Sequence, residues 1–224
     1  MRRYFQAAVL FFFSVPVWAG GQAVLQSGQG SQAEQAQLAW LDDEHLRMDI
    51  THPPAEILLR SGHLYAITQV GGVPVVANVG NLDQMAQILG QGNRLHGQID
   101  RKLARSVASF KATGQHEVVA GIRGEVYRVV WQDAQGKEHT DQAVLTTNPT
   151  VVELTRALQN LGAAANKGGD ARSAEVIRRG LGVLSYGRDY RLVSLSANPP
   201  AAADLDLPTQ GVDVQRLLQG LGIH

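Results

Sequence analysis

From Leu38 to Val79 short apolar runs alternate with turn residues at intervals of roughly 8–12 positions. This cadence constrains the fold more than any other feature, because an antiparallel meander is its simplest solution. Strands are expected at Gln22–Gln26 and Gln37–Leu41, with Asp42-Asp43-Glu44 as a turn. The stretch from His45 to Ile50 alternates strictly, with Leu46, Met48 and Ile50 on one face and Arg47 and Asp49 on the other. Pro53-Pro54 breaks the chain before a strand at Ile57–Arg60. Ser61-Gly62 and Gly71-Gly72 are turns into His63–Val70 and Val73–Val79.

The period then lengthens. Asn81 is placed to cap a helix that Gly90 and Gly92 end. Leu95, Ile99, Leu103, Val107 and Phe110 recur at near four-residue spacing, which predicts an amphipathic helix over Arg94–Lys111, closed by Gly114. Arg94, Arg101 and Arg105 then share a face, with Lys102 beside them, as a solvated stripe or as attraction to anionic head groups.

β-rich runs return at Glu117–Ile122, Glu125–Trp131 and Glu138–Thr146, with a turn at Asp133–Lys137. Asn148-Pro149 opens the best-capped helix, and Thr150 with Glu153 offers an alternative capping box. Val151, Leu154, Leu158 and Leu161 form its apolar stripe. A short helix is expected at Asp170–Arg179, and a hairpin of Val183–Tyr186 and Asp189–Ser196 around Gly187-Arg188. Asn198–Gly211 reads as loop and Val212–Leu221 as a short terminal helix. Strands, helices, strands, helix, strands is an α+β order with an antiparallel sheet packed on helices.

The first residues address export. Arg2 and Arg3 precede an apolar run from Ala7 to Val17 and the small-x-small site Val17-Trp18-Ala19. The run is about 11 residues, against the roughly 20 that a membrane span needs. Residues 1–19 are therefore expected to be a cleaved signal peptide, residues 20–211 one domain, and residues 212–224 a C-terminal tail. There is no cysteine, so neither a disulfide framework nor a lipid-modified cysteine can form. The hydrophobic fraction of 44% is enough for a core without such staples. Charge is balanced at 20 basic and 20 acidic residues, which argues against nucleic acid and against simple electrostatic membrane binding.

Catalytic patterns are missing. The seven histidines include no metal-ligand spacing, GxSxG is absent, and thiol chemistry is excluded. Gly90-Gln-Gly92 and Gly180-Leu-Gly182 do not continue to a third glycine at the dinucleotide-binding offset. The carboxylate pairs Asp42/Asp43 and Asp204/Asp206 lie in polar turns. No enzyme activity, metal or cofactor is expected.

Trp40-Leu, an acidic turn, His45-Leu-Arg-Met-Asp-Ile-Thr-His-Pro-Pro-Ala-Glu-Ile-Leu-Leu-Arg-Ser-Gly-His-Leu-Tyr65 resembles the periplasmic lipoprotein-carrier superfamily of LolA/LolB-like proteins. Lys111-Ala-Thr-Gly114, Glu117 to Val129, Ala143-Val-Leu145 before a helix, and Leu207-Pro208 are similar to its branch known as domain of unknown function 4412. The resemblance runs from Gln22 to Pro208. It implies an incomplete, half-barrel antiparallel sheet covered by helices, with an apolar interior able to hold acyl chains. The basic residue that the carriers commonly place before the alternating strand is replaced by Asp42-Asp43-Glu44, so that role is not carried over.

Strand alternation names a candidate cavity lining of Trp40, Leu46, Met48, Ile57, Leu59, Tyr65, Tyr127 and Trp131. The same residues would also serve a filled core. The resulting expectation is a periplasmic, non-catalytic protein that binds a lipid or lipoprotein acyl chain and is at most peripheral to the membrane. The alternative is an envelope module that docks a protein partner without lipid.

Overall fold

A computed structural model of the chain describes residues 20–28, 30, 33–51, 54–79, 103–166, 169–208 and 212–213. The first strands are β1 (Gly21–Ser27), β2 (Glu34–Trp40), β3 (His45–Thr51), β4 (Pro54–Arg60), β5 (His63–Val70) and β6 (Val73–Val79). Then come β7 (Ser106–Val119), β8 (Ile122–Gln132), β9 (Glu138–Thr146) and the helices α1 (Pro149–Asn166) and α2 (Ala171–Arg178). β10 (Gly182–Tyr186), β11 (Tyr190–Ser196), a 3-10 turn (Ala202–Leu205) and β12 (Val212–Asp213) complete the described elements.

All the described strands join one sheet in the order β12-β6-β5-β4-β3-β2-β1-β11-β10-β9-β8-β7. The order is linear, so the sheet is open. Neighbours are antiparallel except β12, whose Val212 and Asp213 lie parallel to Val75 and Val76 of β6. The fold is α+β.

Alternation becomes burial through cross-strand register. Met48 lies opposite Leu38 and Ile57, and Leu46 opposite Trp40 and Leu59. Leu64 and Ala66 follow opposite Leu59 and Ile57. These side chains therefore share one face. Ser61 and Gly62, with φ of 49° and 77°, make the two-residue turn whose twist matches the flanking strands.

α1 packs on that face. Val151, Leu154 and Ala157 meet Leu25, Leu38, Trp40, Leu46 and Leu59 in one buried cluster. Further along the helix, Leu161, Ala164 and Ala165 join Ile57, Leu64, Ala66, Ala77 and Val79. Asn148 caps the helix, its Oδ1 accepting from the Val151 amide at 3.3 Å. Glu153 is used elsewhere, its Oε2 accepting from the Gly20 nitrogen at 3.2 Å. Gly182 lets β10 abut α1, since a Cβ there would stand 2.7 Å from the Val151 carbonyl carbon. α2 places Val176 against Ala104, Phe110, Val129, Trp131, Ala143 and Leu145.

The opposite face carries Leu58, Ile67 and Tyr65, packed with Leu205 and Leu207. Arg60 fixes that segment through Asp206 at 2.7 Å, and Arg47 donates to the Asp204 carbonyl at 3.2 Å.

Three sequence expectations are corrected. Ser106–Lys111, expected at the end of a helix, begins β7. The four-residue spacing misleads there because β7 is an edge strand with register shifts at Val107/Ser109 and Ala112/His116, so it lacks clean two-residue alternation. Arg105 precedes the strand and is on no helix, whereas Arg94, Arg101, Lys102, Leu95 and Ile99 lie outside the described residues. The β7–β8 turn falls at Ala120-Gly121, and Gly124 sits within β8 because a Cβ there would meet Val144 and Leu184 side chains at 2.7 and 2.8 Å. Val212 and Asp213 are strand rather than helix, and the rest of that expected helix, like the one opened by Asn81, is outside the described residues.

Candidate functional site

A cavity of about 360 Å³ lies between the two helices and the sheet. Its walls come from five sources. Leu25 projects from β1 and Met48 from β3; α1 supplies Leu158, α2 supplies Val176, and the β10–β11 hairpin supplies Val183, Tyr186 and Tyr190. The polar part of the lining is Thr155, Gln159, Asp170, Arg172, Ser173 and Asp189.

A local irregularity shapes the hairpin wall. Val183 and Tyr186 are three residues apart, and strict alternation would send them to opposite faces. The register between β9 and β10 shifts between Val183 and Ser185, so both reach the cavity while Leu184 is buried in the α1 cluster. The Val183 amide donates to Thr155 Oγ1 at 2.9 Å, and Thr155 Oγ1 donates to the Val151 carbonyl at 2.8 Å. These bonds tie the hairpin wall to α1.

Beside the cavity runs a partly buried polar network. Asp170 is the N-cap of α2 and accepts from the Arg172 amide at 2.8 Å. The same carboxylate accepts from Arg172 Nε at 2.9 Å and from the Ala104 amide at 3.2 Å. The Arg172 guanidinium lies 4.1 Å from the Trp131 ring centroid and 5.0 Å from that of Tyr186. Burial opposes its charge, but bonding to Asp170 and the charge of Asp170 outweigh this and raise its pKa. Trp131 donates from Nε1 to Asp141 Oδ2 at 2.6 Å, and His139 stacks on its ring with centroids 4.3 Å apart. His139 also bonds Asp133 at 2.9 Å, and this bond, with the Lys137 and Gln135 amides, holds the Asp133 carboxyl below its ordinary value.

The tyrosines differ in surroundings. Burial raises the Tyr186 phenol pKa, with Arg172 opposing and Asp141 adding to the effect. Burial alone raises that of Tyr190.

The eight residues named from alternation do not converge on this cavity. Met48 lines it. Trp40, Leu46 and Leu59 are buried beneath α1, and Ile57 lies in the adjoining cluster. Trp131 is in the α2 cluster and reaches the network through its indole nitrogen. Tyr65 stands opposite Leu58 and belongs to the other face. Tyr127 borders a second, more polar cleft of about 310 Å³ with His116, Arg123 and Glu125, and donates to Glu125 at 3.3 Å.

The sequence reading misses Leu25, Val176, Val183, Tyr186, Tyr190 and Arg172 as site residues. One signal was available: two tyrosines flank the Gly187-Arg188 turn, an aromatic pair that a hairpin brings together.

Among the described residues the cavity lining contains no histidine, and its Asp170 is engaged as a helix cap and ion-pair partner. Among the described residues no group of three or more His, Cys, Asp or Glu could hold a metal ion, and no helix is long and apolar enough to cross a membrane. The arrangement is suited to burying an apolar group beside a fixed polar rim. No protein-family model matches the chain, and no curated protein matches its sequence.

Proposed function

We propose that this chain is a periplasmic, LolA-like protein that binds an acyl chain or similar apolar group without transforming it. The observation that carries the reading is the cavity between α1, α2 and the sheet, walled by Leu25, Met48, Leu158, Val176 and Val183. Its volume of about 360 Å³ falls within the roughly 300–1,000 Å³ range of small-molecule sites. Each methylene buried there contributes about 0.8 kcal/mol. In this reading the curved sheet is a half-barrel and the helices are its cover.

Export fits the same picture. Cleavage after Ala19 would make Gly20 the first residue, and its nitrogen lies 3.2 Å from Glu153 Oε2. The cut would convert that amide into an ammonium beside a carboxylate, strengthening a contact between the N-terminus and α1.

Native mass spectrometry of the protein purified from periplasm without detergent tests the function. A discrete added mass that extracts into organic solvent is expected. A clean apo mass, with no uptake of added phospholipid or acylated peptide, would overturn the reading.

A further inference from the structure

The cavity is bounded by interior that side chains already fill. On α1 its lining residues Thr155, Leu158 and Gln159 lie between two packed stretches. Leu154 comes before them, in one cluster with Trp40, Leu46 and Leu59, and Leu154, Trp40 and Leu46 are 0% exposed. Leu161 and Ala165 come after them, in a second cluster with Ile57, Leu64 and Val79. Behind α2, Val176 belongs to a third with Phe110, Val129 and Trp131. Thr155 Oγ1 holds the Val183 amide at 2.9 Å, so the hairpin wall is fastened to α1. Interiors packed in this way have few voids to yield, and forcing extra groups into them is destabilising.

The free volume therefore sets the size of the guest. At about 30 Å³ for a group the size of a water molecule or a methylene, the cavity of about 360 Å³ holds about twelve such groups. One saturated chain supplies them, and a second would have to displace packed core. The charges at the rim are held within the protein. Arg172 bonds Asp170 through Nε and Nη2, and its Nη1 lies 3.9 Å from Asp141. Asp189 is engaged as well. The part of a ligand that the cavity measures is thus its hydrocarbon chain.

We propose that the cavity takes a single-chain lipid and selects it by length: one saturated chain of about twelve carbons fills the space between Leu25, Met48, Leu158 and Val183, with its head group at the polar rim. The assignment rests on the apolar-ligand reading above and narrows it. Diacyl and triacyl lipids are excluded as whole ligands, because their further chains would stay in water.

The test measures binding of monoacyl phosphatidylcholines with even-numbered saturated chains, from hexanoyl to hexadecanoyl, by displacement of an apolar fluorophore. Each is used below its micelle concentration, and didecanoyl phosphatidylcholine is compared with the monodecanoyl form. Affinity should rise about fourfold per added carbon up to about twelve carbons, and by less than about 1.5-fold per carbon beyond that. The didecanoyl lipid should bind no more tightly than the monodecanoyl one. Leu158→Trp, which fills part of the cavity, should move the break to about ten carbons; if that variant does not fold, the wild-type series decides. A rise that continues undiminished to hexadecanoyl, a didecanoyl lipid bound more than about tenfold more tightly than the monodecanoyl one, or an unmoved break in folded Leu158→Trp would overturn the proposal. Failure of wild type to bind any chain length would instead remove the apolar-ligand reading on which it rests.

Discussion

The two halves of the sheet are built by different rules. From β2 to β6 every pairing keeps one unbroken register. From β7 to β11 and back to β1, register shifts interrupt β7–β8, β9–β10 and β1–β11. The regular half is a wall and contributes Met48 to the cavity. The irregular half makes the site: its shifts re-aim side chains, and its polar network runs beside the cavity. Regular pairing gives stable burial, but only a departure from it puts Val183 and Tyr186 into one space.

The comparison can be broken first at its shared residue. Met48→Asp, a single change in the regular wall, should abolish uptake of apolar probes by placing a charge in the cavity. Probe displacement checks this, with far-UV circular dichroism showing the variant folded. Unchanged uptake would take Met48 out of the site and leave the irregular half to bind alone.

Next in size is the network. Arg172→Ala should destabilise the protein by about 3 kcal/mol in urea unfolding, because it leaves Asp170 partly buried without its cation and removes the ring contacts. A loss within about 0.5 kcal/mol would mean that the network is a surface ornament and that the irregular half is held by apolar contacts alone.

A smaller, pH-dependent effect is expected at Asp133. Its folded pKa lies below the ordinary value, so its contribution to stability is present above about pH 4 and is lost as pH falls through the lowered pKa. His139→Gln removes the largest cause of that lowering. The gap in melting temperature between wild type and variant should be widest above about pH 4 and should close on further acidification. A gap independent of pH would assign the effect to the Trp131 stack instead.

Smallest is a gain in the regular half. Ser61 has φ of 49°, a region that Asn tolerates better than Ser. Ser61→Asn creates the Asn-Gly pair of a tight hairpin and should stabilise by about 0.5 kcal/mol. No gain in urea unfolding would show that this hairpin is already set by its register.

Legibility in the sequence follows the same division. Strict alternation at His45–Ile50, with glycine turns on a short cadence, is enough to read β3 to β6, because each strand pairs with its sequence neighbour. The capped helix at Pro149 and the hairpin after it were equally readable. β7 was legible only at its end, Glu117–Val119, since its two shifts remove the two-residue period over the rest of Ser106–Val119. The cavity was legible only at Met48. Leu25, Val176 and Tyr190 come from segments far apart in sequence, and the shift that turns Val183 and Tyr186 together leaves no compositional trace. Tyr65 shows the limit of parity: alternation gives the two faces of a strand but does not say which one meets the cavity.

β1 is flanked by β2 on one side and β11 on the other, so Gln22 stands opposite both Ala39 and Ser196. The first described strand is thus the seam that joins the early meander to the last hairpin. A nascent chain can zip β2 to β6 from local turns, but β1 has only one neighbour until nearly the whole polypeptide has emerged. Closing that seam brings together Gly21–Ser27 and Tyr190–Ser196, segments far apart in sequence, a step governed by loop entropy and slow relative to local pairing. Until it closes, the free side of β1 is an unsatisfied edge open to the wrong strand. Removing β1, or the β10–β11 hairpin, would therefore not trim the sheet at its margin but unfasten it in the middle.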